Sequence, residues 1–114
     1  MSDGDWAREL PAAITVCDTE GIILEMNELA ARGYAKDGGR DLIGRSALDC
    51  HPEAARTKMQ QLLVEQKTSV YTIEKRGVKK LVYQAPWYKE GVFGGLVELV
   101  IELPRELPHF VRRG

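Results

Sequence analysis

The sequence contains few cysteines and no long apolar run, and these absences exclude several classes of protein. Its two cysteines, Cys17 and Cys50, cannot form the disulfide framework that stabilises many small secreted domains. We interpret them as reduced, buried thiols, with a bridge between them as the alternative. No segment approaches the roughly 18 apolar residues of a membrane helix, and residues 1–10 lack the basic start and apolar run of a signal peptide. The sequence therefore predicts a cytoplasmic protein without a membrane partner.

An excess of either charge is also missing. The 16 basic and 17 acidic side chains give a formal net charge of −1, whereas binding of a polyanion favours a concentrated basic face. Phosphate-binding loops are absent as well, because the glycines at positions 38, 39, 91, 94 and 95 do not have the spacing of a nucleotide-binding motif. We interpret these glycines as turn and strand-kink residues, and we predict no nucleic-acid partner.

The composition that remains is typical of one folded domain. The chain has 114 residues, of which 44% are hydrophobic and 29% charged, and a chain of this size buries roughly two thirds of its unfolded surface. Residues 1–10 have apolar side chains at helical spacing and predict an amphipathic helix or cap that ends at Pro11. Residues 11–103 form the predicted domain, and residues 104–114 form a polar tail.

Two short strands, a turn and a helix start follow one another near the beginning of the domain. Residues 14–17 and 22–26 are apolar, partly β-branched runs, and Gly21 supplies a positive φ angle in the turn between them. Asn27 then changes the period, because its side chain can cap a helix that begins at Glu28. We expect the two strands of this hairpin to form the central part of a sheet.

The rest of the domain predicts short helical turns near residues 41–44, one longer helix at residues 52–66 and three more strands. These strands are expected at residues 69–75, 79–88 and 92–103. In the last strand one face is fully apolar and the other is mixed. The predicted fold class is α+β, with a five-stranded antiparallel sheet and with short helices and one longer helix on one face. The last strand is expected beside the first hairpin.

Five motifs in this order resemble those of the PAS family. They are D-T-E-G-I-I-L-E-M-N at residues 18–27, Gly33-Tyr34, D-L-I-G-R-S at residues 41–46, His51-Pro52-Glu53, and Pro86 followed by Gly94-Gly95. The resemblance covers residues 11–103 and implies a non-enzymatic sensory or interaction domain in bacterial-type signalling, with a signalling effector as its partner. The chain departs from the family in a longer loop before residue 41. It also lacks the Asp-Ile-Thr cap that leads many members into a signalling helix.

A ligand pocket between the concave face of the sheet and the helices is implied by this resemblance. The predicted lining is mostly apolar, with Tyr34 and Gln84 as polar contacts. It comprises Val16, Leu24, Tyr34, Leu42, Met59, Leu63, Val82, Gln84, Val97 and Leu99. The alternative is a filled core, because any packed interior contains apolar residues of these kinds. Both interpretations stay open at the level of the sequence.

Dimerisation is the second function that the resemblance implies, because family members often associate through a leading helix and the outer face of the sheet. An exposed tryptophan beside aliphatic side chains favours such an interface. The predicted interface of a homodimer comprises Trp6, Leu10, Thr15, Cys17, Leu96 and Val100. A homodimerisation module that binds no ligand is therefore the alternative function.

His51 is the one candidate for a haem ligand, since imidazole binds iron and some PAS domains hold haem through a helix-borne histidine. The alternative is capping or packing, because His51 directly precedes Pro52 at the start of the longer helix. The neighbouring Cys50 lacks the further groups that a nucleophile requires, so we predict no catalytic residue. The flavin-adduct subclass has an Asn-Cys-Arg-Phe element that is absent here. No specific motif predicts haem, flavin or a metal.

Overall fold

The chain folds into one antiparallel sheet with helices packed against it, as the α+β prediction required. The structure, a computed structural model, describes residues 5–114 apart from the side chain of Cys50. The strands are β1 (Ala13–Cys17), β2 (Ile23–Met26), β3 (Ser69–Lys75), β4 (Val78–Lys89) and β5 (Val92–Glu102). Their order in the sheet is β2-β1-β5-β4-β3, and each neighbouring pair is antiparallel.

Three α-helices accompany the sheet, and they are α1 (Asp5–Arg8), α2 (Glu28–Gly33) and α3 (Glu53–Glu65). Short 3-10 helices connect α2 to α3 at Ala35–Asp37, Gly39–Leu42 and Ala47–Cys50. Of the helix predicted for residues 1–10, the structure contains α1 (Asp5–Arg8). The expected first turn lies outside the described residues. No helix among residues 5–114 is long and apolar enough to cross a membrane.

The position of the first hairpin in the sheet differs from the prediction. β5 pairs with β1 on one side and β4 on the other, which confirms that the last strand lies beside the hairpin. The hairpin itself forms one end of the sheet, with β2 as the edge strand. β5 is the central strand, since its 11 residues pair with β4 from Val92 to Glu102 and with β1 from Leu96 to Val100.

The turn between β1 and β2 is built by two residues, as predicted. The Asp18 carboxylate accepts hydrogen bonds from the backbone N–H groups of Glu20 and Ile22, both at 2.9 Å. Gly21 has a φ angle of +85°, which is accessible to glycine and strained for other residues. Local side-chain bonding and one glycine therefore determine the geometry of this hairpin.

Asn27 connects three segments of the chain through its side chain. Oδ1 accepts hydrogen bonds from the N–H groups of Ile14 at 2.9 Å and Ala30 at 3.1 Å. Nδ2 donates to the carbonyl oxygens of Ala12 at 2.7 Å and Ala7 at 3.0 Å. A side-chain amide has two acceptor lone pairs and two donor hydrogens, so its bonding capacity is used completely. The predicted cap of α2 is confirmed, and the same amide also fixes β1 and the residues before it.

The backbones of β1 and β5 approach closely at Gly95. The indole of Trp87 lies against Gly94, and its Nε1 donates a hydrogen bond of 2.9 Å to the carbonyl oxygen of Cys17. Gly95 has a φ angle of +140°, and a Cβ at this position would overlap that same carbonyl oxygen. The interpretation of residues 94 and 95 as strand-kink glycines thus has a steric basis.

The hydrophobic core lies between the sheet and the pair α2 and α3. One cluster comprises Ile23, Met26, Ala30, Leu42 and Ala47, and the other comprises Cys17, Leu62, Leu63 and Leu96. Met59 packs against both clusters and joins them into a continuous interior. The sheet face that carries Cys17 and Leu96 is therefore the inner face.

The sequence analysis predicted that this face of the sheet would be the outer one. Thr15, Cys17, Leu96 and Val100 were assigned to a dimer interface, and all four side chains face the helices. The register pairs Thr15 with Glu98 and Cys17 with Leu96, so β1 and β5 contribute alternate residues to the same covered surface. Leu96 is only 3% exposed, which leaves it no surface for a second chain.

Two residues predicted to line the pocket inside the domain lie on its outer face instead. They are Val16 and Leu99, and both lie beside α1. Leu24, on the edge strand, is exposed. We expected the fully apolar face of β5 to be covered by the helices, but the covered face is the mixed one. The Glu98 carboxylate on this face accepts a hydrogen bond from Gln84, which lowers the cost of its burial.

The four hydrogen bonds of Asn27 predict a large effect of its removal. Asn27→Ala deletes a helix cap and leaves buried backbone groups unpaired, so we expect a loss of about 3 kcal/mol in the free energy of unfolding, measured by urea denaturation. Asp18→Ala is the control, because it removes two bonds of a more exposed turn, and its expected cost is about 1 kcal/mol. Equal losses for the two variants would contradict the special role of Asn27.

Candidate functional site

A small cavity lies between the inner face of the sheet and the helices. Its volume is about 20 Å³, which is room for about one water molecule. Its walls come from β1, β2, β4, β5, α3 and the 3-10 segments, and the residues predicted for a pocket that line it are Tyr34, Leu42, Met59, Gln84 and Val97. Of the other predicted residues, Leu63 and Val82 are buried in the inner layer without lining the cavity, whereas Val16, Leu24 and Leu99 lie elsewhere.

Gln84 and Glu98 form a polar pair in this otherwise apolar interior. The Gln84 Nε2 donates a hydrogen bond of 2.8 Å to the Glu98 Oε2. A carboxylate only accepts hydrogen bonds, so the amide nitrogen of Gln84 must face it and the amide oxygen must point away. That oxygen, Oε1, is buried and has no hydrogen-bond partner among residues 5–114. An unpartnered buried carbonyl is costly, and Gln84 is one of the residues that line the cavity.

Glu98 was not assigned to the site from the sequence. It is one of two acidic residues in a strand that is otherwise apolar or glycine, and this interruption is the signal that could have identified it. Alternation alone could not, because it showed two faces of β5 without showing which of them the helices cover. Thr15 was missed as a lining residue for the same reason.

His51 lines the cavity and is held there by the preceding 3-10 helix. Its Nδ1 lies 2.6 Å from the carbonyl oxygen of Ala47, so Nδ1 carries the proton and donates it. The ring also lies against Tyr34, with ring centroids 6.5 Å apart. His51 therefore packs against its neighbours, as in the alternative to haem binding. It does not cap α3, because Pro52 occupies the N-cap position of that helix.

The residues around His51 do not fit a haem. Pockets for drug-sized ligands have volumes of about 300–1,000 Å³, and the cavity of about 20 Å³ in front of this histidine is far smaller. Among the described residues there is also no cluster of three His, Cys, Asp or Glu side chains that could hold a metal ion.

A larger groove adjoins the cavity on the same face of the sheet. Its volume is about 600 Å³, it opens to solvent, and it runs between α2 and the strands. Thr15, Tyr34 and Glu98 line both spaces, so Glu98 lies where the cavity meets the open groove, whereas Gln84 lines the cavity alone. Arg32 and Lys80 lie along the groove and not along the cavity.

A second groove of about 600 Å³ lies on the outer face of the sheet. It is bounded by α1, which contributes Trp6, and by the apolar residues Val16, Val97 and Leu99 of β1 and β5. Charged side chains lie at the same groove, namely Asp5, Arg8, Glu25 and Arg40. Trp6 is 73% exposed in the single chain. The outer face therefore presents an apolar surface that α1 covers only in part.

Cys17 is a free thiol buried at the floor of the interior. Burial raises the pKa of this thiol above its usual 9.0, and the negative charges of Asp18 and Glu98 raise it further, while a backbone hydrogen bond from Leu96 acts in the opposite direction. The neutral thiol behaves as a small apolar side chain and not as a nucleophile. This agrees with the sequence interpretation of Cys17 as a reduced, buried residue.

The whole of this architecture is that of one known family. Residues 7–99 match the family model for the PAS fold, and the chain belongs to the PAS family. Domains of this family are sensory signalling domains, generally non-catalytic. No curated protein matches this chain.

Solved structures agree with this fold. A sensory box sensor histidine kinase from Vibrio cholerae is 18% identical, with 89% of each chain covered and a TM-score of 0.59. The PAS domain of BvgS from Bordetella pertussis is 18% identical, with 86% of this chain and 81% of that chain covered and a TM-score of 0.61. The VqmA dimer from Vibrio cholerae is 18% identical, with 94% of this chain and 54% of that chain covered and a TM-score of 0.64.

Because the Cys17 thiol is buried, we predict that the free energy of unfolding falls at alkaline pH. Because the pKa of Cys17 is raised above 9.0 in the folded chain, its stabilising contribution is complete below the unfolded pKa and is lost as the pH rises through the raised value. We expect the urea midpoint under reducing conditions to fall above about pH 9, and to fall less steeply in Cys17→Ala. Identical pH profiles for the two proteins would assign the fall to other groups, such as Tyr71, whose pKa burial also raises.

Proposed function

We propose that this chain is a non-enzymatic PAS sensory domain that binds a small ligand between the inner face of its sheet and its helices. Binding changes the position of the helices and the connecting segment, and an effector domain or protein responds to that change. The observation that carries the proposal is the Gln84 amide oxygen, which is buried at the cavity without a partner. A bound ligand would satisfy this atom.

Because the interior is almost filled, we expect a ligand to enter only when the wall moves, as in a conformational switch. A permanently bound cofactor would need a larger preformed pocket. The cavity has room for about one water, so a ligand that reaches it must displace part of the wall. Leu42 and Ala47 belong to that wall, and both lie in 3-10 helices. Such helices have poorer hydrogen-bond geometry than α-helices, and short segments of this kind open at a lower free-energy cost than packed strands. We expect the segment of residues 35–50 to move when a ligand binds.

The size of the response is limited by the difference in affinity between the two states. A ligand that prefers the expanded state tenfold supplies only about 1.4 kcal/mol. A larger shift requires contacts that exist in one state alone. The Gln84 oxygen is suited to this requirement, because its hydrogen bond is absent in the closed state and forms when the ligand arrives.

A thermal-shift screen tests the proposed pocket. At ten times its Kd, a ligand contributes about 1.4 kcal/mol and raises the Tm by roughly 5 °C in a domain of this size. Ala47→Val fills the cavity from a wall residue and is expected to abolish the shift, whereas Ala54→Val, on an exposed position of α3, leaves it unchanged. A varied library of small polar and aromatic molecules without any hit would favour the filled-core alternative and contradict ligand sensing.

Homodimerisation through the outer face is the second candidate function. The exposed Trp6 and the neighbouring apolar groove favour it, and a structural neighbour, VqmA, is described as a dimer. The interface we now propose keeps Trp6 and Leu10 and replaces the four inward-facing residues by Val16, Val97 and Leu99. A second copy would cover an apolar surface that is costly to leave in water.

Sedimentation measurements distinguish this function from ligand sensing alone. Trp6→Glu is expected to convert a dimer into a monomer while the circular dichroism spectrum stays unchanged, because Trp6 makes few contacts within its own chain. Leu107→Glu is the matched control, since Leu107 is an exposed apolar residue of the C-terminal tail. A wild-type chain that sediments as a monomer at about 100 μM would contradict the dimer, since typical specific interfaces bind more tightly than this.

A further inference from the structure

We propose that the ligand is a small organic cation whose N–H groups bind to Glu98 and Gln84 and whose apolar body lies in the adjoining groove. This inference rests on the proposed function, since it assigns a chemical class to the ligand of the same site. It follows from the acceptors at the cavity, the charge of Glu98 and the shape of the two connected spaces.

The first argument is that Gln84 and Glu98 offer more acceptors than donors. Glu98 has two carboxylate oxygens, and the described hydrogen bond from Gln84 uses one of them. The amide oxygen of Gln84 is buried and unpaired. Amidinium, guanidinium and ammonium groups carry several N–H donors and no acceptor, so they match this arrangement.

The second argument is the uncompensated charge. Glu98 is the only acidic or permanently charged residue in the cavity lining, and it makes no ion pair with any of residues 5–114. Its negative charge acts on the surrounding inner layer, where it adds to the effect of burial in raising the pKa values of Cys17 and Tyr71. Arg32 and Lys80 line the adjoining groove without forming an ion pair with Glu98. A half-buried carboxylate without an ion-pair partner favours a cationic ligand and repels an anionic one.

The third argument is the shape of the site. The cavity has a volume of about 20 Å³, which is room for about one water molecule, so only a compact head group can enter it, and that group must displace part of the wall. The groove that shares Thr15, Tyr34 and Glu98 with it has a volume of about 600 Å³. Its lining combines apolar side chains, including Leu29, Ile73 and Val100, with the charged side chains of Arg32, Lys80 and Glu102. The ligand therefore combines a compact N–H head with an apolar or aromatic body.

Matched probes of one size test the class of ligand. Benzamidine, phenylguanidine and benzylamine are cations, whereas benzamide, benzyl alcohol and benzoate have similar bodies without the positive charge. In isothermal titration calorimetry at pH 7 we expect at least one cation to bind ten or more times more tightly than each of the other three. Benzoate is expected to bind most weakly, because it brings a carboxylate close to Glu98.

Substitution of Glu98 identifies the site. Glu98→Gln keeps an acceptor for Gln84 and removes the charge, so it is expected to weaken binding of the cation at least tenfold without unfolding the domain. Glu74→Gln is the control, because Glu74 is an exposed carboxylate of β3 that lines neither space, and binding should stay the same. Folding of both variants is checked by circular dichroism.

The outcomes separate this inference from the proposed function. Binding of benzamide or benzoate as tight as that of the cations, or cation binding that Glu98→Gln does not weaken, would overturn the cationic ligand while leaving a ligand-binding pocket in place. If no cation binds and neutral or anionic members of the wider library do, the inference also fails by itself. If neither the probes nor the library bind, the inference and the ligand-sensing function fail together.

Discussion

The side chain of Asn27 is the constraint on which the arrangement of the elements depends. Its amide accepts hydrogen bonds from β1 and α2 and donates two to the carbonyl oxygens of Ala7 and Ala12. It is only 6% exposed, so water cannot replace these partners. Because α2 and β1 are fixed relative to each other at this point, the position of Tyr34 at the end of α2 and of Thr15 in β1 is also fixed. Both residues line the candidate site.

A second close contact determines how the central strand meets the hairpin. Gly94 and Gly95 let the Trp87 ring and the β1 backbone approach β5, where a side chain would overlap them. This approach places Leu96 and Glu98 directly opposite Cys17 and Thr15. The carboxylate of Glu98 thereby enters a mostly apolar interior. Replacing buried charged groups with apolar residues is often neutral or stabilising, so stability alone does not account for the polar pair.

The family and the candidate site support different levels of conclusion. Membership of the PAS family, whose domains are sensory signalling domains, follows from the match over residues 7–99, and the sheet order agrees with it. Which ligand or partner it senses depends on side chains that vary within one architecture. In this chain those side chains are the Gln84 and Glu98 pair on the inner face and the apolar groove beside Trp6 on the outer face.

The sequence by itself determined the elements and their order, because each depends on neighbouring residues. The Asp18 and Gly21 turn, the Asn27 cap and the alternation of β3, β4 and β5 are all local signals, and the structure contains each of them. Only the tertiary structure decided which sheet face is covered. Alternation defines two faces, but it does not show which of them packs against helices that are distant in the sequence. On the covered face Gln84 of β4 reaches Glu98 of β5, 14 positions away. The size of the cavity was likewise beyond the sequence, because it depends on how Met59 of α3 packs against buried residues of distant strands.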